Sequence, residues 1–159
     1  MTKDIIIRQA QVNDLTAVLS LYAQADMDRG QVLTLQRAQT IFEQFKTYPS
    51  YRLFIALDNN DTNVVLGTYA LLIMNNLAHQ GTSSAIVEDV VVKQSHQGQG
   101  IGRTMMLHAM ELAKQAQCYK LVLSSNLKRQ DAHAFYRSLG FQEHGMSFHV
   151  NIDPIDPTK

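Results

Sequence analysis

The strongest constraint in this sequence is the stretch from Ile86 to Arg103, Ile-Val-Glu-Asp-Val-Val-Val-Lys-Gln-Ser-His-Gln-Gly-Gln-Gly-Ile-Gly-Arg. An apolar run that carries two adjacent carboxylates, Glu88 and Asp89, gives way to a polar turn and then to Gly98, Gly100 and Gly102. Beyond Gly102, Met105, Met106, Ala109, Met110, Leu112 and Ala113 recur at three- and four-residue steps, the period of an amphipathic helix. Strand, glycine loop and helix in that order predict an anion site. Glycines let the backbone turn tightly and approach a ligand, and the first N–H groups of the helix have no partner within it. Those unpaired dipoles favour phosphate.

The spacing narrows the choice of phosphate ligand. Gly-x-Gly-x-Gly is not the dinucleotide fingerprint, which places two residues before its last glycine. No Gly-Lys-Ser/Thr follows, so the loop is not that of a nucleoside triphosphatase. Gln97-Gly98-Gln99-Gly100-Ile101-Gly102 does fit the pattern Gln/Arg-x-x-Gly-x-Gly/Ala. In this it resembles the pyrophosphate loop of the GNAT N-acetyltransferases, which bind acetyl-coenzyme A. A second motif lies downstream in Asp131-Ala132-His133-Ala134-Phe135-Tyr136-Arg137-Ser138-Leu139-Gly140-Phe141. It is similar to the closing helix of the same family, which ends in Tyr-x-x-x-Gly-Phe. The resemblance spans residues 86–141.

Composition fits this reading. A chain of 159 residues, 45% hydrophobic and 18% charged, is long enough for one domain with a sizeable core. The expected division is an acetyltransferase domain over 1–152 and a short tail over 153–159. Net charge is zero, so the chain as a whole has no bias toward nucleic acid or a membrane surface. Between Lys93 and Arg137 the basic residues are Lys93, Arg103, Lys114, Lys120, Lys128, Arg129 and Arg137, and the acidic ones are Glu111 and Asp131. That local positive excess suits a polyanionic ligand such as coenzyme A and suits a solvated basic face equally. Cys118 is the single cysteine, which excludes an internal disulfide and favours a reducing compartment. Residues 1–8 lack a signal-peptide core and no run has the length of a membrane span, so the expected location is the cytoplasm.

Periodicity predicts a mixed α/β (α+β) order. Ile5–Ile7 forms a strand, and Asn13 or Asp14 caps a helix with Leu15, Val18, Leu19 and Tyr22 on its apolar face. A second helix runs from Thr34 toward Pro49 through Leu35, Ala38, Ile41, Phe42 and Phe45. The loop between these helices carries Asp26, Asp28 and Arg29, placed where a loop can line a substrate mouth. Strands at 51–57, 64–74 and through Glu88 form an antiparallel meander. After the glycine helix come a strand at 120–124, a helix at 131–139 ended by Gly140, and a last strand at 146–152. The family resemblance implies a twisted, mostly antiparallel sheet flanked by helices, with a splayed strand pair at the cofactor site.

The resemblance also implies site residues. Backbone N–H groups of Val90, Val91 and Val92, exposed by the splay, would hold the thioester oxygen and the pantetheine arm. Gln97, Gly98, Gln99, Gly100, Ile101, Gly102 and Arg103 would hold the pyrophosphate, with Asn126, Arg129 and Tyr136 completing the cofactor contacts. Glu88 would accept the amine proton, directly or through water, and burial in an apolar strand should raise its pKa. The bland alternative for Glu88 is a salt bridge. Tyr136 would reprotonate the departing thiolate, its alternative being a packing tyrosine. Strand alternation turns Asp89 to the opposite face, which favours a structural role. His96 and His133 are weaker candidates for the site. His79, His108, His144 and His149 show no metal-ligand spacing, so no metal is expected.

Two subfamilies are echoed. Val87–Val92 together with Cys118-Tyr119-Lys120 is similar to the glucosamine-6-phosphate N-acetyltransferases, which implies Glu88, Asp89 and Lys120 at the acceptor. Leu123-Ser124-Ser125-Asn126 departs from their pattern. Ser125–Tyr136 is similar to the aminoalkylphosphonate N-acetyltransferases. The shared implication is a primary amine on a small anionic molecule, its charge met by Lys120, Lys128 or Arg129. Two other readings stand beside it: an acetyltransferase acting on peptides or proteins, and a non-catalytic coenzyme A-binding module. Alternation of Phe148 and Val150 with Ser147 and His149 is compatible with a homodimer built on the last strand.

Overall fold

In the computed structural model, residues 4–25 and 27–152 are described, and the chain divides into two compact units, Met1–Leu123 and Ser124–Lys159. The first unit holds a five-stranded sheet in the order β1-β2-β3-β4-β5. Its strands are β1 (Ile5–Gln9), β2 (Tyr51–Asp58), β3 (Asp61–Met74), β4 (Ser84–Val92) and β5 (Leu121–Val122), with helices α1 (Leu15–Gln24), α2 (Leu35–Gln44) and α3 (Ile101–Gln115). The first four strands are antiparallel in sequence order, as a meander requires, and β5 joins β4 in parallel after the α3 crossover.

Both faces of the sheet are covered, which is why Leu53–Leu57 of β2 reads as an unbroken apolar run rather than an alternating one. On one face Leu15, Val18 and Ala38 from the first two helices meet Leu53, Ile55, Leu57 and Ala70. On the other, α3 buries Ile101, Met105, Met106, Ala109 and Ala113 against β3 and β4. The methionines at 105 and 106 are fully buried core. Gly67 of β3 is where this helix comes closest: a Cβ there would sit 2.8 Å from Met105 Sδ and 3.0 Å from the Val91 carbonyl oxygen.

The helix starts follow local chemistry. Thr34 Oγ1 accepts a hydrogen bond from the Arg37 amide and caps α2. Asp14 precedes α1 as expected, but its carboxylate does not cap that helix. It takes two hydrogen bonds from the Arg8 guanidinium, at 2.7 and 2.9 Å, and one from the Gln11 amide. The Arg8 bond holds the Asp14 pKa below the ordinary carboxylate value.

Two sequence expectations need correction. The strand expected over 120–124 contracts to Leu121–Val122, paired only with Ala85 and Ile86. Past Ile86 the course of β4 changes at a bulge, and a parallel neighbour has no regular edge to follow. The strand expected over 146–152 is not formed. Alternation supplies an apolar side in Met146, Phe148, Val150 and Ile152, all about four-fifths exposed, but a strand needs a backbone partner and these residues lie outside the sheet. The homodimer expectation rested on that strand.

The second unit contains α4 (Gln130–Ser138), ended by Gly140 at a φ of 91°, in the left-handed region glycine tolerates. Residues 153–159, the expected tail, lie outside the described residues. Among the described residues no helix is long and apolar enough to cross a membrane.

Replacing Gly67 by Ala should force β3 and α3 apart and destabilise the protein by about 1–3 kcal/mol. Urea unfolding measures this; an unchanged midpoint would show that Met105 yields freely.

Candidate active site

The glycine loop follows β4 directly. Gly98 and Gly100 take left-handed conformations, with φ of 74° and 83°, and Gly100 is the residue before the first turn of α3. A Cβ at either glycine would meet nothing within 4 Å, so glycine is required there by backbone angle and leaves open space above the loop. The first intrahelical bond is donated by the Thr104 amide to the Gly100 carbonyl at 3.0 Å. The amides of Ile101, Gly102 and Arg103 therefore precede any helical acceptor, and no side chain caps them. The donor set and the vacant space fit a pyrophosphate. Gln97 has another task, its Nε2 donating to the Val92 carbonyl at 3.3 Å and tying the loop to the end of β4.

The bulge in β4 shapes everything upstream of that loop. Thr68 pairs with Val91 and Ala70 with Glu88, so one residue of β3 faces the pair Asp89 and Val90. Asp89 absorbs the extra residue with a φ of 52°, which aspartate tolerates better than most side chains. Cross-strand partners share a face, so the bulge brings Val91 to the same face as Glu88, three residues away. It also breaks the alternation that would turn Asp89 inward or across the sheet. Glu88 and Asp89 are both exposed as whole residues, while surrounding atoms withdraw their carboxyl groups partly from water.

Among the described residues β4 has no strand on its other edge from Val87 onward, because β5 borders only Ala85 and Ile86. The Lys93 amide donates to the Leu66 carbonyl on β3, and alternation then directs the amides of Val90 and Val92 to the open edge. Two aligned donors with no strand to satisfy them can hold an extended amide-bearing ligand and a carbonyl oxygen. This is the splay expected from the sequence.

The carboxylates sit in a particular electrostatic setting. Burial, and then the neighbouring Asp89, raise the Glu88 pKa above the ordinary glutamate value. Burial, and then Asp28, raise that of Asp89. Tyr22 of α1 and Tyr51 of β2 are pushed up chiefly by burial and then by Asp89, with Glu88 also acting on Tyr51. Three carboxylates and two phenols thus share one field. Tyr22 and Tyr51 were not singled out from sequence, because each occupies an ordinary apolar position of its element. Asp28, on the loop after α1, lies close enough to Asp89 to act on its charge, and Asp26 lies outside the described residues.

Lys120 borders the start of β4. Its carbonyl accepts from the Ala85 amide, three residues before Glu88, and its ammonium lies 5.2 Å from the centre of the Tyr119 ring, itself tilted against His79. His108 has an unforeseen partner, a 2.6 Å hydrogen bond between its Nδ1 and the hydroxyl of the fully buried Tyr69.

In the second unit Asn126 is held by its own loop: Oδ1 accepts from the Lys128 amide, while its carbonyl accepts from the Arg129 amide and meets His133 Nε2 at 2.9 Å. Ser125 Oγ is buried with no hydrogen-bond partner among the described residues. Tyr136 packs edge-on against Phe141, and burial raises its pKa while Arg129 opposes the rise. Among the described residues no cluster of His, Cys, Asp and Glu forms a metal site.

The family model of the acetyltransferase (GNAT) family matches residues 16–141. Glucosamine 6-phosphate N-acetyltransferase from Trypanosoma brucei brucei is 30% identical over 57% of this chain and 60% of its own length. Aminoalkylphosphonate N-acetyltransferase from Salmonella typhimurium is 33% identical over 63% of this chain and 62% of its own. The chain thus spans about three-fifths of each of these two relatives. A solved structure from Agrobacterium tumefaciens str. C58, an acetyltransferase by assignment, superposes with a TM-score of 0.84 at 33% identity, covering 92% of this chain and 99% of that one. The fold alone is shared with glucosamine-6-phosphate N-acetyltransferase from Arabidopsis thaliana, with a TM-score of 0.81 at 18% identity over 95% of this chain and 100% of that one.

Gly100→Ala should cost about 1–2 kcal/mol at a left-handed position, weakening coenzyme A binding by about 5- to 30-fold. Calorimetric titration checks this, and unchanged affinity would remove the loop from the site.

Proposed function

The chain belongs to the acetyltransferase (GNAT) family, and from that premise we propose that it transfers an acetyl group from acetyl-coenzyme A to the primary amine of a small molecule. The observation that carries the reading is the sequence of features along one short stretch. Carboxylates at a bulge, an open amide edge at Val90 and Val92, and a left-handed glycine loop at a helix start follow one another from Glu88 to Arg103.

Acetyl-coenzyme A supplies an activated thioester carbonyl. The chain does the rest. The amides of Val90 and Val92 are placed to accept charge on the thioester oxygen and to align the pantetheine arm, with Val91 between them as spacer. The loop amides from Gly98 to Arg103 hold the diphosphate. Amide formation requires a neutral amine, and Glu88 is suited to take its proton because burial and Asp89 both favour the protonated carboxyl. Asp89 also draws a protonated amine toward the site before that proton is lost. Tyr136 is assigned to return a proton to the leaving sulfur by its place in the Tyr-x-x-x-Gly-Phe motif, and its raised pKa keeps the hydroxyl protonated at neutral pH. An anionic substituent met by Lys120, Lys128 or Arg129 rests on the names of the two relatives alone, whose acceptors bear phosphate or phosphonate.

Thiol release from acetyl-coenzyme A, measured over a panel of amines, tests the reading. Glu88→Gln and Tyr136→Phe should each lower kcat by about 10²–10⁴-fold, and Glu88→Gln should leave acetyl-coenzyme A binding intact. In the wild type kcat/KM should fall as pH drops through a value above the ordinary glutamate pKa of 4.5, and Glu88→Gln should abolish that limb. Cofactor binding without turnover of any amine would favour a binding module. Turnover of peptides alone would make the acceptor a protein.

A further inference from the structure

A second cavity opens on the face of the sheet that carries Glu88. It has a volume of about 300 Å³ and is lined by Ile41, Gln44, Phe45, Tyr48, Tyr51 and Leu72. None of these six side chains carries a charge. The ring centres of Phe45 and Tyr51 are 4.6 Å apart, and Tyr48 meets Tyr51 edge-on at 6.0 Å, so the walls are largely aromatic. The volume suits a benzene-sized group.

Its relation to the carboxylates follows from strand register. Leu72 pairs with Tyr51 on one side and with Ile86 on the other. Glu88 lies two residues beyond Ile86, on the same face as Ala70 and Leu72. One strand across and two residues along puts the Leu72 and Glu88 Cα atoms about 8 Å apart. Tyr51 joins the two regions, since it lines the cavity and its hydroxyl feels both Glu88 and Asp89.

We propose that the acceptor of this site is a primary amine with an apolar substituent, of the arylalkylamine class: the substituent fills the cavity of Phe45, Tyr48, Tyr51 and Leu72 and the amine reaches Glu88. This rests on the acetyl-transfer reading above. Charge argues in the same direction. A phosphate in this cavity would meet no cation and would face Glu88 and Asp89. Like charge so close to the cavity opposes a bound phosphate, to an extent set by solvent screening. The same charge favours a protonated amine. The neighbouring larger cavity holds Lys46 and Arg52, but both are engaged. Lys46 pairs with Glu43 at 2.7 Å, and Arg52 lies over the Phe54 ring, adjacent in the strand to Tyr51 and therefore on the other face.

The test compares 2-phenylethylamine, glucosamine 6-phosphate and 2-aminoethylphosphonate on the intact chain, by thiol release and by calorimetric binding in the presence of coenzyme A. The expected kcat/KM for 2-phenylethylamine exceeds that for either phosphorus-bearing amine by at least about tenfold. Tyr48 is 56% exposed, so Tyr48→Ala should keep the fold, raise the KM for 2-phenylethylamine and leave the KM for ethanolamine unchanged. Leu72→Lys should shift preference toward the phosphonate. Preference of the wild type for either phosphorus-bearing amine, or an equal effect of Tyr48→Ala on all amines, overturns the proposal. Binding of 2-phenylethylamine without turnover supports the cavity and overturns the transfer reading instead; turnover of other amines with no 2-phenylethylamine binding does the reverse.

Discussion

The bulge at Asp89 is the feature on which the rest of the site depends. A left-handed, non-glycine residue inside a strand costs about 1–3 kcal/mol, and it persists because the surrounding pairs leave the chain no alternative. Thr68 is fully buried and its hydroxyl donates to the Phe54 carbonyl at 2.8 Å, which fixes β3 against β2. Glu88 and Val91 must then both pair with β3, and only an extra residue lets them. The cost is met by packing, and three consequences follow from it. Two carboxylates come to the surface side by side, β4 changes course away from β5, and its outer amides are left without partners.

The same packing couples the two halves of the proposed cofactor site. Met105, in the second turn of α3, presses on Gly67, whose cross-strand partner is Val92 at the end of the open edge. The glycine loop joins these two anchors and is tied back to the strand by Gln97. A ligand with an extended amide-bearing arm and a diphosphate meets both sets of donors without any rearrangement of the core. Preorganisation of this kind spares the ordering that a flexible loop would need at the moment of binding.

Much of this was legible in the sequence, and the exceptions have physical causes. The apolar run before the glycines, their spacing and the 3.6-residue period after them located strand, loop and helix to within a residue or two. The loop after α1 was legible as a loop, and its Asp28 acts on the charge of Asp89. Asp89 was misplaced because alternation assumes a regular ladder, and a bulge hides in a run of valines that would pair equally well in either register. Tyr22 and Tyr51 looked like core positions of their elements, which by packing they are. Their nearness to Asp89 depends on what lies across the sheet, and local pattern carries no such information. Residues 146–152 alternated as a strand should, yet pairing is a property of neighbours rather than of a segment.

The central claim is that the open edge of β4 and the glycine loop together hold acetyl-coenzyme A. Amide hydrogen exchange with and without the cofactor tests it most directly, because the donors in question are backbone N–H groups that the free chain leaves without acceptors. The account predicts slowed exchange at Val90 and Val92 and across Gly98–Arg103, with β1 and the amides of α2 unchanged. Protection confined to other segments, or cofactor binding with none at these amides, would contradict it.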